Sequence, residues 1–142
     1  MIGQTIENWH KHLRGDFPGG LDALLAEDVV FYSPVVFTPQ KGRDITKLYL
    51  NAAYNTFDGD KSPAAGGDDS KGFRYAKQVF SGNTAVLEFE TELDGKYVNG
   101  VDIISCDDEG KIVEFKVMVR PLQAVNMLHA QMAAMLKRMK AP

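Results

Sequence analysis

The stretch from Phe73 to Pro121 constrains the fold more than any other part of the chain. Four runs rich in β-branched and aromatic residues follow one another there: Phe73 to Phe80, Thr84 to Leu93, Tyr97 to Ser105 and Lys111 to Val119. Only short turn signals separate them, Gly82-Asn83, Asp94-Gly95 and Asp107-Asp108-Glu109-Gly110. Asp-Gly between apolar runs tolerates the positive φ of a tight hairpin, so successive runs should pair antiparallel as a meander. In the second run Ala85, Leu87, Phe89 and Thr91 alternate with Glu88, Glu90 and Glu92. In the last, Phe115, Val117 and Val119 alternate with Glu114 and Lys116. Each of these strands has one dry face and one wet face, and the dry face needs a cover.

The remaining segments supply it. Ile2, Ile6, Trp9 and Leu13 fall on one face at helical spacing, which predicts a first helix. His10 and His12 flank that stripe on opposite sides and, two residues apart, diverge, so they are a poor metal pair. Residues 15–20 (GDFPGG) break the helix, and a short second helix carries Leu21, Leu24 and Leu25. Asp28 to Ser33 reads as a strand stopped by Pro34, with Val35 to Pro39 continuing extended. A third helix follows, with Asp44 near its start and Ile45, Leu48, Tyr49 and Ala52 on one face. Residues 58–72 (DGDKSPAAGGDDSKG) carry almost no apolar side chain and are expected to form a flexible surface loop. They lack the Gly-Lys-Ser/Thr ending of a phosphate loop. After Pro121 a helix is predicted over 122–140, with Leu122, Val125, Leu128, Met132, Met135, Leu136 and Met139 on a broad apolar stripe that can cover the open end of the sheet or a second chain.

A chain of 142 residues, 44% hydrophobic and 25% charged, suits a single globular domain spanning 1–142. The formal net charge of -3 gives no general pull towards nucleic acid or an anionic membrane. Lys137, Arg138 and Lys140 complement the dipole at the end of the last helix. Cys106, the only cysteine, forms no internal disulfide and lacks the companions of a thiolate metal site. Met1 to Gly15 carries Glu7, Lys11 and Arg14 instead of an apolar run, so no signal peptide is read. No stretch has the apolar length of a membrane span, and a cytoplasmic protein is expected.

Asp102 is the residue that asks for an explanation. It sits in the third strand among Val101, Ile103 and Ile104, where a carboxylate must be protonated, paired or exposed. Two readings stand. It is a hydrogen-bond donor or acid-base group in a greasy pocket, its pKa raised by desolvation. Or it is structural, bonded to Trp9, a tyrosine hydroxyl or the backbone near Gly100.

Helices first, one strand and a helix, then a meander: this order favours an α+β domain with helices on one face of a curved sheet. The segments LLAEDVVFYSP, KGRDITKLYL and VNGVDIISCDDEGKIVEFKVMVRP resemble the SnoaL-like branch of the NTF2-like superfamily. The resemblance runs from the first helix to Pro121. It implies a cystatin/NTF2-like cone: a strongly bent antiparallel sheet packed on N-terminal helices, with a pocket in the cone and, here, an extra C-terminal helix. It also implies a homodimer. Against the ketosteroid isomerase pattern of that superfamily, Asp102 falls where a protonated Asp donates to an enolate oxygen. Leu87, Phe89, Val117 and Val119 fall on pocket-lining strand positions. The position of the isomerase base is Ser33, which has no basicity of its own, and the first helix has no tyrosine. The isomerase activity is therefore not carried over, and the Asp-Arg-Asp set of the epoxide hydrolases is not evident.

His10 and His12 are the candidates for the missing base, since imidazole titrates near neutral pH. The expected catalytic set is Asp102 with His10 and His12. The expected ligand-binding set is Trp9, Tyr32, Tyr49, Leu87, Phe89, Val117 and Val119. Tyr54 could add a hydroxyl, Arg120 is expected to pin the last helix by a salt bridge, and His129 is expected at an interface. No metal and no organic cofactor is implied. Such a pocket suits a small apolar or aromatic molecule bearing one or two oxygens. Three functions remain open: a cofactor-independent lyase, isomerase or cyclase; a non-catalytic binder; and a dimerisation module with an incidental pocket.

Overall fold

The computed structural model describes residues 2–56 and 72–140. The stretch read as a loop over 58–72 lies outside the described residues, apart from Gly72. The elements run α1 (Ile2–Leu13), α2 (Gly20–Leu24), β1 (Leu25–Tyr32), β2 (Gln40–Lys41), α3 (Arg43–Thr56), β3 (Arg74–Ser81), β4 (Thr84–Leu93), β5 (Lys96–Cys106), β6 (Ile112–Arg120) and α4 (Leu122–Lys140).

The meander is present as read, with β3 to β6 pairing antiparallel in succession. The Asp94-Gly95 hairpin shows why those residues stand there: both have positive φ, 52° and 77°. The sheet has six strands in the order β2-β1-β6-β5-β4-β3. It is mixed and not wholly antiparallel, because β1 lies parallel to β6. A parallel pair needs a long crossover, and here α3 and the first three strands of the meander lie between β1 and β6. Register shifts between Leu25 and Val30, between Tyr75 and Lys77, and between Ser105 and Cys106 interrupt the ladders. Bulges of this kind bend strands and increase their twist, and the sheet curls into a cone.

Two local expectations need correction. Leu25 does not belong to the second helix; at φ -93° and ψ 139° it is extended and opens β1. Leucines at 21, 24 and 25 satisfy a helical face and a strand start equally well. The extended segment after Pro34 joins the sheet only at Gln40 and Lys41, which pair with Phe31 and Val30.

The inner face of the curled sheet meets the helices. Val29 and Phe31 of β1, Leu87 and Phe89 of β4, Val98 and Ile104 of β5, and Ile112 and Phe115 of β6 are all buried there. Ile6 and Trp9 of α1 close on them, and Ala124, Leu128 and Met132 of α4 are buried in the same core. α4 packs on α3 and reaches β4, β5 and β6. Of its apolar stripe Leu128 and Met132 join this core, while Leu122 stays 72% exposed.

Candidate functional site

The alternation of β5 turns Val98, Gly100, Asp102 and Ile104 inward. Leu87 and Val117 flank Asp102 on the two neighbouring strands. Asp102 is 5% exposed. It accepts one hydrogen bond, from the Tyr75 hydroxyl to Oδ2 at 2.6 Å. Tyr75 in turn accepts from the Trp9 indole N–H at 2.9 Å. The result is a chain of donors, Trp9 to Tyr75 to Asp102, running from α1 through β3 to β5. No hydrogen bond to the other oxygen of Asp102 is found among the described residues.

The side chains packed around this chain are aromatic. Phe115 meets Trp9 edge-on at 5.1 Å, and Phe73 stacks on Phe89 at 5.0 Å and meets Tyr75 edge-on at 5.2 Å. The Phe89 ring lies over Gly100: a Cβ there would fall 2.6 Å from its Cζ. Burial in these surroundings raises the Asp102 pKa from 3.8 to about 7, and the Tyr75 hydrogen bond opposes that rise in part. Burial also pushes the Tyr75 hydroxyl well above its ordinary value, helped by the Asp102 charge, so it stays a phenol and a donor. Near neutral pH the Asp102 carboxyl populates both forms. It donates when protonated and accepts when ionised, which is what an acid-base group must do.

The histidines touch the aromatics and not the acid. The His10 Nε2 bonds to the Gln78 side-chain oxygen at 3.0 Å, and its ring meets Tyr75 edge-on at 5.4 Å. Among the described residues its buried Nδ1 has no hydrogen-bond partner. His12 packs against Trp9, 5.6 Å from it, and burial lowers its pKa, favouring the neutral imidazole. Among the described residues no hydrogen bond joins either histidine to Asp102.

The remaining expected site residues divide. Leu87 and Phe89 are fully buried beside Asp102 and Gly100, and Val117 and Val119 are half-buried on the other side. Tyr49 is buried against Phe31 at 5.4 Å. Tyr32 lies at the end of β1 with the Lys116 ammonium 4.7 Å above its ring, and it lines a separate groove against α4. Ser33 accepts the Val35 N–H at 3.1 Å. Arg120 donates to Asn99 at 3.2 Å instead of reaching α4. The Tyr54 side chain lies outside the described residues. Among the described residues, no three His, Cys, Asp or Glu side chains gather as metal ligands.

Tyr75 is the residue that reading the sequence missed. A tyrosine hydroxyl was expected as a possible partner of Asp102, but the alternation that would single out Tyr75 is broken just after it, where β3 slips register against β4.

Fold and site together define a cone-shaped α+β protein with a protonatable carboxyl, Asp102, in an apolar interior. No protein-family model matches the chain, and no curated protein matches it. Solved structures do. A steroid delta-isomerase from Pseudomonas aeruginosa is 31% identical, with a TM-score of 0.84 over 99% of this chain and 95% of that one. An uncharacterised protein with a cystatin-like fold from Silicibacter pomeroyi is 30% identical, with a TM-score of 0.75 over 92% and 83%. An NTF2-like protein of unknown function from Mesorhizobium loti, 19% identical with a TM-score of 0.64 over 84% and 91%, shares the fold. The chain belongs to the NTF2-like superfamily, in which the SnoaL-like proteins fall.

Proposed function

We propose that the cone binds a small apolar or aromatic molecule bearing one or two oxygens, and that Asp102, held by Tyr75, serves it as a cofactor-independent acid-base group of isomerase, lyase or cyclase type. The observation that carries this reading is the Tyr75–Asp102 bond in a desolvated setting. It fixes one carboxyl oxygen and leaves the other for a ligand, with the pKa at about 7. An enolate-like oxygen formed beside the protonated acid would take its hydrogen bond, a contact stronger in the transition state than in the ground state. The likeness to a steroid delta-isomerase over nearly the whole chain supports the same class of chemistry. Ser33 cannot act as a base unaided, and His10, packed on Tyr75 with its Nδ1 unpartnered among the described residues, is the histidine best placed to serve.

The test is a fluorescence titration with naphthols of graded acidity, on the wild type and on Asp102→Asn. Binding should depend on pH around neutrality and weaken about tenfold or more in the variant, the loss expected for a hydrogen bond to a charged or charge-sharing partner. Equal binding by both proteins, or by neither, would leave Asp102 a structural carboxyl.

A second reading, a dimerisation module, is favoured by the outer face of the sheet. Val79 and Met118 are exposed there, with Val86, Val101 and Ile103 between them in the ladders.

A further inference from the structure

The hydrogen bonds that end at Asp102 run in one direction, and the residue at their far end sets it. The Trp9 indole can donate but not accept. Its Nε1–H meets the Tyr75 oxygen at 2.9 Å. That occupies the accepting side of the hydroxyl and leaves Tyr75 to donate onward, to Asp102 Oδ2 at 2.6 Å. The length is usual for an O–H held by a carboxylate oxygen. Trp9, Tyr75 and Asp102 are all buried, so bulk water does not compete for the Tyr75 hydroxyl. Phe73 and His10 meet the Tyr75 ring edge-on and hold it in place.

A protonated carboxyl beside Tyr75 has two arrangements. In the first, Tyr75 donates to Oδ2, which is then the carbonyl oxygen, and the acid proton sits on Oδ1. In the second, the proton sits on Oδ2 and is donated to Tyr75. The second crowds two donors, Trp9 and Asp102, onto one phenolic oxygen, and it takes from the Tyr75 proton the acceptor it now has. A buried donor stripped of its acceptor is costly, so the indole N–H selects the first arrangement. We infer that Trp9 is a positioning residue: by donating to Tyr75 it fixes the direction of the chain and holds the Asp102 proton on Oδ1, the oxygen left for a ligand. This rests on the reading of Asp102 as the acid of the cone, and it adds a rule for what that acid takes. While protonated, Oδ1 donates and suits a carbonyl or enolate-like oxygen. Once ionised, it accepts and suits a hydroxyl. Without the indole N–H the chain is free to reverse, Oδ1 becomes the carbonyl oxygen, and the protonated acid loses its preference for an acceptor.

The chain has one tryptophan, so 3-benzothienylalanine, which keeps the bicyclic ring and carries sulfur where indole has N–H, can replace Trp9 alone. Two readouts are taken on the full chain. The first needs no ligand: the Asp102 carboxyl-carbon NMR signal is followed against pH. The Trp9 bond acts to lower the Tyr75 pKa. Losing it makes Tyr75 the weaker donor and the ionised carboxyl less well held, so the Asp102 titration should move to higher pH. In the wild type the Trp9 Nε1–H signal should titrate with the same midpoint as Asp102, and that step should be lost in Asp102→Asn. His10 and His12 pack on Tyr75 and Trp9, and their titration is present in both proteins, so the comparison removes it. The second readout is the ratio of affinities for 2-acetylnaphthalene, whose oxygen only accepts, and 2-naphthol, whose hydroxyl also donates. At about pH 5, below the Asp102 titration, the ratio should fall about tenfold in the sulfur-substituted protein. A general loosening of the interior would weaken both probes alike. An Asp102 titration unmoved by the substitution, or an unchanged ratio where both probes bind, would overturn the proposal. A moved titration with neither probe bound would uphold the role of Trp9 and remove the ligand reading of the cone, so the two fail separately.

Discussion

Asp102 holds its proton in the folded chain at pH values where a free aspartic acid has lost it. The folded pKa is raised, to about 7 against 3.8, so the unfolded state ionises first as pH rises. The group therefore lowers stability progressively from about pH 4 to about pH 7, and the loss levels off above that, reaching about 4 kcal/mol. Asp102→Asn keeps an acceptor for Tyr75 and removes the charge. His12 acts with the opposite sign: burial lowers its pKa, so its unfavourable effect appears as pH falls through the imidazole range. The difference between wild type and Asp102→Asn isolates the carboxyl from that background. In urea denaturation the variant should gain about 2–3 kcal/mol on the wild type between pH 5 and pH 8. A difference that stays constant with pH would mean that Asp102 is ionised throughout. Asp102 was legible in the sequence because a carboxylate among Val101, Ile103 and Ile104 breaks an apolar pattern. Tyr75 was not, because an aromatic residue in a strand fits any core rim and its role depends on which rings the curl brings opposite it.

Among the elements, the meander could be read in advance and the start of β1 could not. Period-two alternation and an Asp-Gly turn act over a few residues, so they survive in the sequence as a pattern. Whether Leu25 ends a helix or opens a strand depends on its distant partner Ile112, and so does the parallel pairing of β1 with β6. Gly100 shows a third kind of constraint, invisible before the strands are assembled. Its φ is not in the left-handed region, so the reason for glycine is space. A Cβ would sit 2.4 Å from the Met118 carbonyl oxygen and 2.6 Å from the Phe89 ring. The ring can rotate or shrink, but the carbonyl belongs to the β5–β6 ladder. Gly100→Ala should therefore lower stability by about 1–3 kcal/mol, the usual effect of overpacking. Adding Phe89→Leu should recover only part of it. Full recovery, measured by thermal or urea unfolding, would show that the backbone contact relaxes freely.

At the scale of the whole molecule, the cone has two faces, and only one is covered by its own helices. The outer face carries a row through Val79, Val86 and Ile103 and another through Val101 and Met118, with Val79 at 54% and Met118 at 51% exposure. Lys77 stands in the row of Glu88, Val101 and Met118, and Lys116 in the row of Val79, Val86 and Ile103 with Glu114 nearby on β6, so both signs of charge border the apolar stripe. A two-fold contact through this patch would present each of these residues twice, so its lysines and carboxylates would both stand at the rim of the apolar stripe. Sedimentation should find a dimer that dissociates on dilution, and Met118→Glu should give a monomer, because one substitution then places two unpaired carboxylates in the same apolar contact. The urea midpoint of the variant at low concentration should match that of the dissociated wild type, since Met118 contributes nothing to the inner core. A wild type that sediments as a monomer at every concentration would remove the dimerisation reading and leave the cone and its buried acid as the feature that function is built on.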